Sequence, residues 1–572
     1  MHQPMTRREF VRHAGLSALG LLTPYVLVPP RKLIQLLNRT LAPEAVFSYS
    51  IASGDPTSSG VILWTRINES VWNMNDPLEF QVATDEAFTN IVVQGLINGS
   101  DIGPDQDYTV KVDLDGTLGP NVRYYYRFLY QNTSSHIGRC RTLPAPNSQP
   151  EAVKFGVVTC QDYTNGYYGA FVHLAQEDVD FVLHLGDFIY ESSADPRFQE
   201  LPYPDREIIL PSEGTVALNL EDYRFLYKKY RSDPFFQQAL EQHTFIIIWD
   251  DHEFANDCYW DYANDAPGAP DHPFNGNPDQ LTQLRLESMQ AWLEYVPARI
   301  QTNPNATHPH DFYHIYRKFK FGDLVELFMT DERLYRSPHP CGEDDFGQRY
   351  ASPGCPEPRS PDRTMLGTEA AFQQRDWLIN GLRNSTRIWK AWGNEVLQMP
   401  LVIPQPAQDG QYIFLDMDAW DGYHYERTYI MGNLRNHIKN LILLTGDLHT
   451  YMAGYVKYNY LRKNNSQPAN NLMGVEFMTP AVTSANLMEL LPDWWPFPID
   501  ESIVKPLNWH VEFFNSNDWG YSTVVFTRND CVYTAYSIDK GVNSGDVPKV
   551  LLRRLLVPLN NVKIIDITEA SE

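Results

Sequence analysis

The sequence predicts a layered α/β domain preceded by a small all-β domain. Three observations carry this. Short strands rich in β-branched and aromatic residues, separated by Gly, Pro, Asn and Asp clusters, fill residues 46–145. From residue 152 onward, near-continuous apolar strands alternate with helix-like stretches. Four of those apolar strands end in oxygen, nitrogen or sulfur donors.

Residues 1–45 read as an address and a linker. Thr6-Arg7-Arg8-Glu9-Phe10 precedes a moderately apolar stretch from Ala14 to Pro30, the layout of a secretory signal. The paired arginines resemble a twin-arginine signal, which exports folded proteins. A cut near Ala45 or a retained anchor both remain open. Export places the protein in the periplasm, on the cell surface or outside the cell.

Residues 46–145 form the β-sandwich part. Val61–Arg66, Leu78–Ala83, Tyr108–Asp113 and Arg123–Phe128 are its clearest strands. The Pro120-Asn121 pair before Tyr124-Tyr125-Tyr126 looks like a fibronectin type III or immunoglobulin-like unit. Leu143 to Pro150 is a Pro-rich, semi-rigid linker.

The main domain spans residues 146–537. Val153–Thr159, Asp180–Leu185, Phe245–Trp249, Asp323–Met329 and Asn440–Thr445 are strands covered on both faces. Gly169–Glu177, Gln280–Tyr295 and Thr368–Asn384 are helices between them. Residues 538–572 are a tail. Its cationic segment Pro548–Val557 reads as a helix packed on the core, with a membrane surface or an acidic cleft as the other targets.

Composition narrows the function. With 46 Lys and Arg against 71 Asp and Glu, the chain carries a net charge of −25. That excludes phosphate-backbone binding as a main task, and sequence-specific nucleic-acid recognition with it. It suits a protein that gathers cations on carboxylates. Six cysteines in 572 residues are too few for a disulfide scaffold. Cys341 and Cys355 bracket a Pro/Gly/Asp-rich loop and either pair or stay as thiols.

Ligands of layered α/β proteins collect at the carboxyl ends of strands. Here those ends hold Cys160, then Gly186-Asp187-Phe188-Ile189-Tyr190, then Asp250-Asp251-His252-Glu253, and last Gly446-Asp447-Leu448-His449. Caps and turns explain one such residue, not four sets.

The ordered set resembles the metallophosphatase superfamily, and within it the PhoD-like branch of alkaline phosphatases and phospholipase D-like phosphodiesterases. Further segments are similar to the same branch: Ala52 to Pro56, Leu327 to Arg333, Trp392 to Asn394, Trp420 to Tyr423, Glu476 to Pro480 and Asn508 to His510. The resemblance covers about residues 6 to 537. It implies a four-layer metallophosphatase-type sandwich flanked by helices. It also implies iron and calcium. Thiolate, phenolate and carboxylate are anionic donors that suit Fe3+ better than zinc, and hard oxygens suit Ca2+. On that basis Cys160, Asp187, Tyr190, Asp447 and His449 surround the iron, with Asp187 bridging. Asp250 or Asp251, with Asn256, holds calcium, and Asp447 is an alternative ligand there. Such a centre makes a metal-bound hydroxide the attacking group, with no Ser or Cys nucleophile. His252 matches the residue that donates to the phosphoryl or leaving oxygen. Arg285 and Arg333 either bind phosphate bidentately or act as structural ion-pair partners. Two departures stand out: Trp519 where relatives carry His, and Glu395 where Gln is usual.

The expected activity is alkaline hydrolysis of phosphate monoesters, with diesters, including phospholipids and nucleotides, as further substrates and a monomeric enzyme. The alternatives are a phospholipase D-like phosphodiesterase and, from another class, a surface adhesion protein with an inert phosphatase part.

Overall fold

A computed structural model describes residues 22–28, 41–196, 199, 203–340, 355–367, 373–405, 412–461, 471–491 and 495–570. Arg7, Arg8 and most of the apolar stretch after them lie outside the described residues, as does Cys341. Cys355 is disulfide-bonded. Among the described residues, no helix is long and apolar enough to cross a membrane.

Two large sheets organise the chain. The first has ten strands. Its parallel centre is Ala152–Val158, Phe181–His184 and Thr244–Ile247. The second has seven, with Val325–Met329, Trp389–Asn394, Leu441–Thr445 and Leu472–Met478 running parallel. The expected apolar strands are therefore present, and their continuous hydrophobicity follows from cover on both faces. The sheets pack against each other through aromatic rings. Phe321 meets Phe155 at 5.1 Å and Phe181 at 5.3 Å, and Phe477 stacks on Tyr533 at 4.6 Å. Offset and edge contacts of this kind add to plain burial.

Helices cover the outer faces. Gly169–Gln176 and Pro234–Gln242 meet through Phe171 and Phe236, 4.6 Å apart, over the first sheet. Gln374–Asn384 and His424–Leu434 place Leu378, Leu382, Ile430 and Leu434 over Phe328, Trp392 and Leu443 of the second. Local sequence sets their starts. Pro234 follows Asp233, whose carboxylate accepts from the Phe235 and Phe236 amides.

Residues 46–145 hold strands, turns and the short 3-10 helices Gly99–Asp101 and Pro104–Gln106, and the strands divide between two sheets. Leu78–Ala83, Ile91–Ile97 and Arg123–Tyr130 belong to a separate six-stranded sheet. Ile51–Thr57, Gly60–Arg66 and Thr109–Asp113 instead extend the ten-stranded sheet. Ser53 and Gly54 pair in parallel with Thr244 and Phe245. An uncovered edge at Thr244–Ile247 would expose unpaired amides, and these strands close it. The join is reinforced by Arg317 on Asp55 and Arg299 on Asp113, each at 2.7 Å.

Two expectations about the ends meet the structure differently. The segment expected as a C-terminal helix is a strand: Lys549–Pro558 pairs antiparallel with Asp530–Ile538. A short apolar run fits either period, and the available sheet edge decides it. A cut near Ala45 would fall inside the short helix Pro43–Val46, whose Val46 is fully buried.

Candidate metal centre

The donors gather where the strands stop. Cys160, Asp187, Asp447 and His449 all adopt left-handed backbone, with φ of 53°, 54°, 68° and 53°. For non-glycine residues this conformation costs roughly 1–3 kcal/mol each, and such strain clusters at functional sites. Two glycines let the loops touch. A Cβ on Gly186 would lie 2.4 Å from the Asp250 Cβ, and one on Gly446 would lie 2.6 Å from Thr159 Oγ1. Only glycine lets the chain before Asp187 approach Asp250, and the chain before Asp447 approach Thr159, this closely.

Glu253 ties two of these loops. Its carboxylate accepts from the backbone N–H groups of Asp187 (3.1 Å), Phe188 (2.7 Å) and Asp250 (2.8 Å). Burial and the Asp187 charge push its carboxyl up to about 8 while these amides pull it down.

Three of the expected iron ligands come together. The donor atoms of Cys160, Asp187 and His449 lie within 4.8 Å of one another. Tyr190 joins them: its hydroxyl donates to Asp187 Oδ2 at 2.9 Å and lies 3.4 Å from His449 Nε2. The Nδ1 of His449 bonds the Ala485 carbonyl, which leaves Nε2 facing the cluster. Asp447 falls on the other side. Its carboxylate groups with those of Asp250 and Asp251 within the same distance. Asp251 is shared further, with Asp187 and His252 and with Asp257 and Asp418. Both adjacent aspartates therefore face the centre. Asn256 is anchored beside it, its N–H on Glu191 at 2.8 Å and its amide nitrogen on Asp271 at 2.7 Å.

The electrostatics fit cations. Burial and like charges push Asp250 and Asp447 well above the carboxylate range, and burial with Asp251 nearby takes Asp187 to about 7. Burial and Asp187 likewise push the Cys160 thiol far up. The fully buried Asp250 Oδ2 has no hydrogen-bond partner. A cation held here would relieve this repulsion, favour the thiolate and give the orphaned lone pair a partner.

The two arginines sit in different surroundings. Arg333 is fully buried among acids: Nε pairs with Asp250, Nη1 with Asp418 and Nη2 with Asp447 at 2.8 Å. Its guanidinium is an internal counter-ion of the cluster. Arg285 rests on the rings of Trp249 and Phe254, 4.7 and 4.9 Å from their centroids. Its guanidinium is thus packed on two rings, while its buried Nη2 has no hydrogen-bond partner.

His252 stands beside the donors. Its Nδ1 lies 2.7 Å from Glu191 Oε2, and its ring covers Tyr190 at 4.1 Å. Against burial, Glu191, Asp251 and Asp187 hold the imidazole well above its usual range. Glu191, Asp257 and Asp418 escape sequence reasoning. The only signals were adjacency, Glu191 after Tyr190 and Asp257 after Asn256, and the Asp416-x-Asp418 spacing. Glu395 is fully buried and accepts from the Glu332 N–H, so it is part of the wall rather than an opening. Trp519 donates its indole N–H to the Ser484 carbonyl at 2.8 Å.

The chain is similar to known phosphatases. Residues 155–534 match the family model of the PhoD-like phosphatase, and residues 35–144 match the PhoD-like phosphatase N-terminal domain. The chain is 30% identical over 517 residues to alkaline phosphatase D of Bacillus subtilis (strain 168), covering 89% of this chain and 80% of that protein. A solved structure of PhoD superposes with a TM-score of 0.76 at 27% identity, covering 91% of this chain and 92% of that one.

Proposed function

From the premise that this chain belongs to the PhoD-like phosphatase family and hydrolyses phosphoric esters, we propose that it is an exported, metal-dependent alkaline phosphatase acting on monoesters. The observation that carries the reading is the pair of donor groups, Cys160/Asp187/His449 and Asp250/Asp251/Asp447, set side by side at strand ends. The facing sheets and their outer helices read as the four-layer metallophosphatase arrangement. Export rests on Thr6-Arg7-Arg8-Glu9-Phe10.

Cys160, Asp187, Tyr190 and His449 would hold Fe3+, and Asp250, Asp251, Asp447 and Asn256 would hold Ca2+. When bound, these ions supply Lewis acidity at the phosphoryl oxygens and lower the pKa of water. The remaining work belongs to side chains. Glu191 fixes the His252 ring, so Nε2 is the atom that delivers a proton to the leaving oxygen. Arg333 balances four carboxylates from within and keeps their spacing.

The test is a metal assay of the purified full-length protein combined with a phosphoester panel over about pH 7–10. Turnover of monoesters that tracks iron and calcium content supports the reading. Turnover of bis-esters alone replaces it with the phosphodiesterase. Metal-free, inactive protein at every pH overturns it.

A further inference from the structure

We propose that Lys540, with Trp519, is a positioning residue of the metal centre: the two clamp the loop that holds His449 in one tautomer and one orientation. The inference rests on His449 being a ligand. Lys540 follows the strand Asp530–Ile538 and lies beyond both the main domain expected from sequence and the matched residues 155–534.

The loop runs over residues 479–486 and is bound on two sides. On the inside, Val482 N–H donates to the Thr159 carbonyl at 3.0 Å. The Thr483 and Ser484 N–H groups reach the Cys160 carbonyl at 3.4 and 3.3 Å. The Thr483 hydroxyl donates to the Asp162 carbonyl at 2.6 Å, and the Ala485 carbonyl takes the His449 Nδ1 bond. Four successive residues thus frame two expected ligands.

On the outside stand Lys540 and Trp519. The lysine ammonium is 5% exposed, an unusual place for a strongly hydrated charge. Its three N–H directions meet acceptors from three separate segments. These are the Thr483 carbonyl at 3.1 Å, Glu489 Oε2 at 2.7 Å and the Asn165 amide oxygen at 3.1 Å. That Asn165 oxygen also accepts from the Ala485 N–H at 2.8 Å. The Trp519 ring lies 4.2 Å from the ammonium, while its indole N–H holds the Ser484 carbonyl. The lysine stem is fitted as closely as its head. A Cβ on Gly166 would come within 2.9 Å of the Lys540 Cβ, and the Tyr167 N–H donates to the Lys540 carbonyl at 2.8 Å.

Every peptide unit from 483 to 485 is therefore reached by Lys540, by Asn165 that Lys540 orients, or by Trp519. An apolar residue at 540 would leave the buried Thr483 carbonyl without that donor, take one of two donors from the Asn165 oxygen and remove the ion pair of the exposed Glu489. The loop would then relax, and with it the one acceptor that sets which His449 nitrogen carries the proton. Outer partners of this kind typically change metal affinity by about 10- to 100-fold.

The experiment uses full-length Lys540→Met, Lys540→Arg and Trp519→Phe proteins. In the metal-free state, hydrogen exchange of amides 482–485 and the ring-nitrogen shifts of His449 are measured. After iron loading, ion retention under a chelator is followed. Lys540→Met is expected to speed exchange about tenfold or more and to mix the His449 tautomers. It should lose iron about 10- to 100-fold faster, with kcat falling and KM little changed. Lys540→Arg should recover part of each effect. Exchange and tautomer identical to wild type in folded Lys540→Met overturn the clamp. Should that variant fail to fold, Trp519→Phe decides: smaller changes in the same direction support the proposal, and none overturns it. His449→Ala separates the premise. Unchanged iron content there removes His449 from the ligands, whereas iron loss there with a silent Lys540→Met condemns the clamp alone.

Discussion

Replacing Glu253 by Gln tests whether one carboxylate holds the metal loops together. Glu253 is 1% exposed and accepts three backbone N–H groups, two on Oε2 and one on Oε1. In the better of the two amide orientations, the Gln oxygen keeps the Asp187 and Asp250 donors. Its NH2 then opposes the Phe188 N–H, a buried donor without a partner, at about 1–3 kcal/mol. Above about pH 8, where Glu253 is ionised, the two surviving bonds also lose their charge assistance, about 0.5–1 kcal/mol each. The sum is roughly 2–5 kcal/mol, against a total stability of about 5–15 kcal/mol for a typical domain. The variant should fold. Urea unfolding of the metal-free protein should show the lower midpoint with an unchanged slope. Iron and calcium content should fall as well, because the amides released belong to the backbones of Asp187 and Asp250. A stability change below about 0.5 kcal/mol with full ion content would refute the tie.

Four other outcomes are expected. Tyr190→Phe removes the phenol that bonds Asp187, so the iron-loaded protein should lose most of its visible absorbance; a colourless, iron-replete wild type would exclude the ligand set. A calcium chelator should abolish turnover and leave the colour, with recovery on adding Ca2+, and turnover indifferent to EGTA would count against the calcium half. His252→Ala should lose about 10²- to 10⁴-fold on an alkyl phosphate and much less on p-nitrophenyl phosphate, with Glu191→Gln smaller in the same direction; equal losses on both substrates would move His252 to the phosphoryl group. His136 sits 2.8 Å from Glu241 and 3.2 Å from Glu44, and chiefly the Glu241 hydrogen bond raises it from 6.5 to about 9. Because the folded value is the higher, its stabilisation is complete below about pH 6.5 and disappears as pH rises through about 9. Thermal unfolding from about pH 7 to 10 should therefore fall more steeply in wild type than in His136→Gln, and parallel curves would contradict this.

The four ligand-bearing strand ends are legible because each strand is a continuous apolar run, and the donors begin where the run stops. What stays hidden is convergence. Glu253 reads as one more acid at a strand end, and only the fold reveals that amides from two loops meet on it. Arg285 and Arg333 carry the right group for phosphate, but Trp249 and Phe254 claim the first and four aspartates the second. The segment Lys549–Pro558 has no period that separates helix from strand. Its pairing with Asp530–Ile538 settles the matter through a partner that local sequence does not name. Lys540 is still less visible, since its acceptors come from residues 165, 483 and 489.

The strand order of the ten-stranded sheet imposes a timetable on synthesis. Ala152–Val158 has Phe181–His184 on one side, made soon after it, and Gly520–Thr527 on the other, with Ala152 facing Thr527. At about 5–20 residues per second, that second neighbour leaves the ribosome roughly 20–75 s later. Until then an apolar strand that will sit at the centre of the sheet has an open side, a template for pairing with other chains. The last-made strands, Gly520–Thr527, Asp530–Ile538 and Lys549–Pro558, then close the sheet together. A premature stop near the end of the gene would therefore release a chain that is almost full length yet has never been able to finish its core.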